Sequence, residues 1–265
     1  MAEQMYPLGN EVVKISRSGN VAIVTMSLPE RKNAFNLKMR HGLINSFRQL
    51  MYFDDCRAIV LTGDGGSFCA GGDITEMKKR TTMEIRERID LVSQLTRIML
   101  TGPKPIISAV EGPAFGAGWS MALASDYIVA AKDSKFCAAF IRVGLVPDTG
   151  MFWSLLQRIS RTKAKQYLTL ANEITGAEAL ADGLVDEVVE SGATVARAIE
   201  VGEKYAKMPP ITVGLIKEAV MGGTDSLSAA IKSEIEFQMI AMNTADHAEA
   251  IAAFREKRKP VFKGE

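Results

Sequence analysis

The chain has 265 residues, of which 47 % are hydrophobic and 24 % are charged. This balance is ordinary for a globular protein and excludes an intrinsically disordered chain. Lysine and arginine together number 32 and aspartate and glutamate 31, so the net charge is +1. Such a balance gives no bulk attraction for nucleic acid or for an anionic membrane, and we expect neither as a partner.

Cysteine and histidine usage points away from disulfides and metal sites. Cys56, Cys69 and Cys137 have spacings that fit neither a paired ligand motif nor a disulfide framework, so reduced thiols are expected in a cytoplasmic or organelle-matrix location, with the cytoplasm favoured. His41 and His247 lie in separate helical patterns and are interpreted as surface or packing residues. No signal peptide or membrane span is indicated, because no apolar run reaches about 18 residues.

The first half of the chain predicts alternating strands and helices. Two β-rich runs, Val12–Arg17 and Val21–Met26, are joined by Ser18-Gly19-Asn20 and predict a hairpin. The next predicted elements are a helix capped by Asn36, a strand at Ala58–Leu61, a helix from about Met83 to Leu100, a strand at Ile106–Val110, a short helix near Ser120–Ala124 and a strand at Tyr127–Ala131. This alternation predicts an α/β fold with a largely covered sheet.

The last third of the chain is predicted to be helical. From about Gly192 onward the pattern is broken only at Pro209-Pro210, at Gly222-Gly223-Thr224 and at Asn243-Thr244. We therefore expect a core at residues 1–191 and a helical C-terminal region at residues 192–265.

Two glycine-rich loops run from predicted strands into predicted helices. The first is Ser67–Ile74, before a predicted helix at Ile74–Lys79, and the second is Glu111–Ser120. Small residues allow a ligand to approach the backbone, and the start of a helix presents unpaired amide hydrogens. Each loop alone is more often a simple turn, and neither matches a P-loop or a dinucleotide fingerprint. Together they can direct two amides at one oxygen, as a developing oxyanion requires.

These loops belong to a set of motifs that resembles the crotonase (enoyl-CoA hydratase/isomerase) family. The runs that carry the resemblance are Pro29–Asn36, Ser67–Asp73, Pro105–Gly118, Val143–Gly150 and the tail Phe254–Pro260. The resemblance implies a spiral core of β-β-α units with a C-terminal helical trimerisation region. It also implies an acyl-CoA substrate and a homotrimer or hexamer. No metal and no separate cofactor are expected, because coenzyme A arrives as part of the substrate.

The resemblance assigns candidate roles residue by residue. The amides of Gly72 and Ala117 would form the oxyanion hole for a thioester carbonyl; Ala117 stands where the family usually has glycine, and it keeps the amide donor. The expected substrate-binding residues are Arg31, Lys32, Ala34, Ala70, Asp73, Ile74 and Phe140, together with Phe254 and Lys257, which would reach the ligand of a neighbouring subunit.

The candidate acid and base decide the expected reaction. Hydratases of the family use two glutamates, and the matching positions here are Ser120 and Phe140, so both carboxylates are missing. Asp148 resembles the acid/base of one branch of the family's double-bond isomerases. A single carboxylate suffices to take a proton from C2 of a 3-enoyl thioester and return it at C4. We therefore expect a Δ3,Δ2-enoyl-CoA isomerase with Asp148 as the catalytic residue.

Other interpretations remain open from the sequence. Asp148 also resembles the nucleophilic aspartate of aroyl-CoA dehalogenases, although no histidine lies between His41 and His247 to assist that chemistry. A non-catalytic acyl-CoA-binding protein is a third reading. In its Pro-Asp-Thr-Gly context, Asp148 taken alone could simply cap a helix. Glu84 and Glu87 would be the next carboxylates to consider.

Overall fold

A computed structural model describes residues 9–222 and 226–265. Part of the predicted break at Gly222-Gly223-Thr224 lies outside these residues. The strands are β1 (Val13–Ser18), β2 (Val21–Met26), β3 (Ala58–Gly63), β4 (Ile106–Val110), β5 (Pro113–Phe115), β6 (Tyr127–Ala131), β7 (Lys135–Cys137), β8 (Ile174–Thr175) and β9 (Glu187–Val189). The α-helices are α1 (Leu37–Leu50), α2 (Thr82–Thr101), α3 (Ala117–Leu123), α4 (Met151–Arg158), α5 (Arg161–Leu170), α6 (Gly176–Ala181), α7 (Thr194–Ala206), α8 (Pro210–Gly222), α9 (Leu227–Met242) and α10 (Ala245–Glu256).

The strands form two sheets. The larger sheet has the order β1-β2-β3-β4-β6-β9, with the β1–β2 hairpin antiparallel and the other neighbours parallel. The smaller sheet has the order β5-β7-β8. Short 3-10 helices at Pro29–Arg31, Ile74–Glu76 and Ala139–Val143 connect the main elements. The predicted hairpin and the predicted strands β3, β4 and β6 are confirmed.

The larger sheet is covered on both faces, which explains the uninterrupted apolar runs of its central strands. Ile59 and Leu61 of β3 belong to a core shared with α1 and α2. Ala58 and Val60 alternate with them and pack in a second core that includes Ala198 of α7. Helix α7 lies in the segment predicted to be helical, and it covers the sheet directly.

Two local predictions were wrong at the loops. The helix expected at Ile74–Lys79 is only a 3-10 turn at Ile74–Glu76, because Asp73 accepts from the amide of Thr75 and Met77 has an extended backbone with φ −77° and ψ 99°. The second loop is not a continuous turn, since its residues 113–115 form β5 and pair with β7. The pairing of β5 with β7 fixes the position of the chain just before α3.

The second glycine-rich loop contains β5, the first pairs with β5 through an isolated bridge at Cys69, and α3 begins at Ala117. All three cysteines are buried and free. Across the described ranges, none of the helices combines the length and apolar character that crossing a membrane requires.

Candidate active site

The two glycine-rich loops run side by side. The amide of Cys69 donates to the carbonyl of Pro113 at 3.0 Å, and the amide of Phe115 donates to the carbonyl of Cys69 at 2.9 Å. On its other side the first loop is held by the amide of Phe35, which donates to the carbonyl of Gly71 at 2.7 Å. These backbone hydrogen bonds fix the relative position of the two loops.

The approach of the loops depends on glycine. A Cβ atom on Gly118 would lie 2.3 Å from the carbonyl oxygen of Cys69, which no rearrangement of a side chain could relieve. A Cβ atom on Gly71 would lie 2.8 Å from the carbonyl oxygen of Phe115, and Gly71 also has a φ of +96°. Only glycine fits such a backbone at such a distance.

The amides of Gly72 and Ala117 are free to bind a ligand oxygen. Gly72 pairs with Phe35 in an isolated parallel bridge, but its own N–H donates to no acceptor among residues 9–222 and 226–265. Ala117 is the first residue of α3, where backbone N–H groups have no helical partner, and its amide is likewise unpaired in the described chain. The alanine side chain leaves this donor unchanged.

A cavity of about 560 Å³ opens in front of these amides. Six of the expected site residues line it: Ala70, Gly72, Ile74, Ala117, Phe140 and Asp148. Ile85, Ile89, Val143 and Leu145 add apolar surface. The cavity therefore combines two free amides and one expected carboxylate with space for an acyl chain, which is typical of a small-molecule site.

Three expected coenzyme A residues near the first loop are held by the chain itself and lie outside this cavity. The Nη1 atom of Arg31 lies 2.8 Å from Oδ2 of Asp73. Burial acts to raise the pKa of Asp73, but hydrogen bonds from Thr75 and Arg31 outweigh it, so the pKa lies below its usual range. The carbonyl of Lys32 accepts from the amide of Ala70 at 2.9 Å. In the isolated chain these residues support the loop.

Ala34, Phe254 and Lys257 also lie outside the cavity lining. Ala34 is buried beside Phe35. Phe254 is 85 % exposed near the end of α10, and Lys257 ends that helix in a left-handed conformation. Their expected role requires a neighbouring subunit, so it stays a prediction.

Asp148 lies in a tight turn before α4. Its carbonyl accepts from the amide of Met151 at 3.2 Å, while Thr149 and Gly150 have φ values of +54° and +79°. Gly150 is the N-cap of α4 and receives no side-chain cap, so the carboxylate of Asp148 does not cap the helix. Its Oδ1 accepts from the hydroxyl of Thr149 at 2.9 Å. The carboxylate is therefore available at the cavity wall.

Burial raises the pKa of Asp148 above its ordinary value of 3.8, although the Thr149 hydroxyl and the cations Arg40 and Arg88 pull it down. A carboxylate with a raised pKa is a stronger base.

The two positions that match the hydratase glutamates lie in different environments in this structure. Phe140 lines the cavity, whereas Ser120 is fully buried and its hydroxyl donates to the carbonyl of Gly116 at 3.3 Å.

The enoyl-CoA hydratase/isomerase family matches residues 16–265. The chain belongs to this family. It is 33 % identical over 252 residues to the 1,2-epoxyphenylacetyl-CoA isomerase of Escherichia coli, covering 92 % of this chain and 95 % of the relative. It is 32 % identical to a short-chain-enoyl-CoA hydratase of Clostridium acetobutylicum, covering 94 % of this chain and 96 % of that one.

Solved structures of the family have the same fold. An enoyl-CoA hydratase from a Polaromonas species superimposes with a TM-score of 0.89 at 31 % identity, covering 94 % of this chain and 99 % of that one. One from Bacillus anthracis gives a TM-score of 0.91 at 28 % identity, covering 96 % and 100 %. The family resemblance and the α/β crotonase fold with a helical C-terminal region are thus confirmed.

The family motifs do not include six charged residues of the cavity. The six residues, none of them expected at the site, are Arg40, Glu76, Lys78, Lys79, Arg80 and Arg88. One signal was present for Arg40, because the spacing of Arg40, Ile44 and Phe47 places a cation on the buried face of α1. Glu84 instead forms a capping box with Thr81 on the exposed start of α2. Neither Glu84 nor Glu87 lines the cavity.

Proposed function

We propose that the protein is a Δ3,Δ2-enoyl-CoA isomerase in which Asp148 transfers the proton. The observation that carries this proposal is the placement of carboxylates. Asp148 lines the cavity that contains the free amides of Gly72 and Ala117, while the positions matching the hydratase glutamates hold Ser120 and Phe140. The site therefore supports chemistry that needs one base rather than a pair.

The amides would act on the thioester oxygen. Removal of a C2 proton leaves a dienolate, whose negative charge gathers on that oxygen. Fixed donors that face this charge stabilise it without reorganisation and typically contribute about 3 kcal/mol each. The Gly72 and Ala117 amides suit this role because their hydrogens have no acceptor to give up within the described chain.

Asp148 would carry the proton from C2 to C4. Its carboxylate takes the C2 proton, and the electrons of that C–H bond enter the dienolate. The resulting carboxylic acid returns a proton at C4, so the double bond ends between C2 and C3 and the aspartate is regenerated. The apolar residues Val143 and Leu145 also line the cavity and offer a surface for the acyl chain.

The named relatives do not assign a double-bond isomerase, since one is named for an epoxide-bearing CoA ester and the other is a hydratase. Hydration requires water to be activated on one side of the double bond and a proton to be delivered. The aromatic ring of Phe140 can do neither, and Ser120 is buried outside the cavity lining. The chemistry of the residues in this chain therefore favours the isomerase.

We also propose that the enzyme is a trimer, or a hexamer built from two trimers. Helices α8 and α9 expose a set of large apolar side chains, namely Ile216, Val220, Ile231, Ile235, Met239 and Ile240. Contiguous apolar surface of this kind usually marks an interface. Light scattering at micromolar concentration should give a trimer or hexamer mass, and a monomer would contradict the assignment.

The reaction can be tested directly with a 3-enoyl-CoA. Isomerisation gives a conjugated 2-enoyl thioester, which is followed by its ultraviolet absorbance, with no change in mass. A hydratase would instead add water to the 2-enoyl-CoA of the same chain and leave the 3-enoyl-CoA unchanged. Tight binding of acyl-CoA esters without turnover on any chain length would identify a non-catalytic binder and overturn the proposal.

A further inference from the structure

Three arginines lie around one glutamate in the wall of the cavity. The Nη1 atom of Arg88 lies 3.1 Å from Oε2 of Glu76, and the Nη1 atom of Arg40 lies 4.0 Å from the same oxygen. Arg80 donates to the carbonyl of Glu76 at 2.9 Å. The other carboxylate oxygen of Glu76 accepts from the amide of Leu37 at 3.0 Å. Glu76 therefore cannot neutralise all three guanidinium groups, which we call the arginine cluster.

Arg40 has an unusual environment for a cation. It is 4 % exposed, and its Nε and Nη1 atoms have no hydrogen-bond partner. Its Nη2 donates to the carbonyl of Phe35 at 2.7 Å, and its guanidinium carbon lies 5.0 Å from the centre of the Phe35 ring. Burial and the nearby Arg88 lower its pKa to about 10, so it stays charged at neutral pH. A buried charge with incomplete pairing is costly unless an anion arrives.

The cavity as a whole has an excess of positive charge. Its lining includes five cations, Arg40, Lys78, Lys79, Arg80 and Arg88, against only two carboxylates, Glu76 and Asp148. Lys78 and Lys79 are exposed, so solvent screens them. The three arginines of the cluster are buried or half-buried, so their positive charge acts on any ligand in the cavity.

Helix α2 shows how a ligand would reach this charge. Ile85, Arg88 and Ile89 have the spacing of one helix face, and all three line the cavity. An acyl chain could pack on the isoleucines and end at the guanidinium of Arg88. The side chain of Arg88 is 22 % exposed, which leaves it accessible to a ligand, while Arg40 lies beneath the surface.

We propose that the arginine cluster binds a carboxylate carried by the acyl group, so that the preferred substrate is a carboxylated enoyl-CoA. Arg88 and Arg80 donate to the carboxylate directly, and Arg40 supplies an incompletely paired charge beneath the surface. Guanidinium groups bind carboxylates through parallel hydrogen bonds that are stronger than neutral ones. This inference rests on the proposed function only in that the cavity accepts an acyl thioester.

The experiment compares two thioesters of equal length, a 3-enoyl-CoA with a terminal carboxylate and the matched 3-enoyl-CoA with a terminal methyl group. The quantity of interest is the ratio of their kcat/KM values. We expect the wild-type ratio to favour the carboxylate by at least about tenfold, the scale of one charge-assisted hydrogen bond. Arg88→Gln should lower this ratio about tenfold, and Arg88→Lys should retain part of it.

Arg86→Gln is the matched control. Arg86 lies two residues before Arg88 on α2, pairs with Asp90 at 3.6 Å and does not line the cavity. Its substitution should leave the ratio unchanged. Arg80→Gln provides a second test of the cluster should Arg88→Gln fail to fold.

A wild-type ratio near one would overturn the inference and leave the proposed function standing. The inference also fails if the cluster variants slow both thioesters equally, because the arginines would then serve Asp148 or coenzyme A. If neither thioester is isomerised, calorimetry with the saturated carboxylated and methyl-ended acyl-CoA esters separates the two claims. Tighter binding of the carboxylated ester, lost in Arg88→Gln, would support the inference although the proposed function had failed.

Discussion

Asp148→Asn removes the proposed base with little change in size. The hydroxyl of Thr149 donates to Oδ1 at 2.9 Å, and an asparagine carbonyl oxygen can accept the same hydrogen bond. The turn should therefore persist, because its left-handed residues are Thr149 and Gly150 rather than Asp148. We expect kcat for 3-enoyl-CoA isomerisation to fall by about a hundredfold or more, equivalent to about 2.7 kcal/mol of barrier.

Asp148→Asn should lose activity without losing stability. A carboxyl group whose folded pKa is raised contributes stability at low pH, and this contribution is lost as the pH rises through the folded pKa. At pH 7 the buried charge of Asp148 is therefore unfavourable to folding. Asp148→Asn should have a free energy of unfolding equal to or above that of the wild type. Asp148→Ala should be less stable than Asn by about 1 kcal/mol, because it loses the Thr149 hydrogen bond.

The assay is the formation of the conjugated thioester, combined with urea unfolding and acyl-CoA binding for each variant. Glu84→Gln is the matched control, since Glu84 is a carboxylate on α2 outside the cavity lining, and glutamine can still accept in the capping box. This control should keep wild-type activity. Near wild-type turnover by Asp148→Asn on every 3-enoyl-CoA that the native enzyme converts would refute the assignment of the base.

Three further outcomes follow from the site. Ala117→Pro removes one proposed oxyanion donor at the first position of α3, where proline is tolerated. Its kcat should fall about 100- to 1000-fold with thermal stability retained, whereas Ala117→Gly should stay active. The kcat/KM value should fall as the pH is lowered through the pKa of Asp148, which lies above 3.8. In Arg88→Gln this fall should occur at higher pH, because one cation that lowers the pKa of Asp148 is removed. Ser120→Glu should lower the unfolding free energy by several kcal/mol because residue 120 is fully buried. Phe140→Glu should cost less, because Phe140 is 8 % exposed and lines the cavity; urea titrations of both variants check this.

Much of the fold was predictable because its signals are local. The β1–β2 hairpin follows from two apolar runs joined at Gly19, and Asn36 caps α1 by accepting from the amide of Met39 as its position suggested. The small sheet was missed because its strands have two or three residues and exist only through pairing with distant segments. The helix expected after Asp73 was overestimated, since Arg31 and Thr75 hold that aspartate in a tighter turn.

The site was predictable to the extent that motifs specify it. Gly72, Ala117 and Asp148 lie in three separate motifs, and their shared cavity depends on the folding of all three. The arginine cluster belongs to no motif, because it arises where α1, α2 and the segment after Asp73 meet. Only the helical spacing of Arg40 indicated beforehand that a cation would be buried.

We attribute the proposed isomerase activity of this family member to the single carboxylate of Asp148. The most direct test measures, on one wild-type preparation, kcat/KM for isomerisation of a 3-enoyl-CoA and for hydration of the 2-enoyl-CoA of the same chain. Both carboxylate-ended and methyl-ended chains are measured. For the better substrate, kcat/KM for isomerisation should exceed kcat/KM for hydration by at least about a hundredfold, the contribution of one positioned acid/base group. Hydration as fast as isomerisation would show that a lone carboxylate at Asp148 does not make the protein an isomerase.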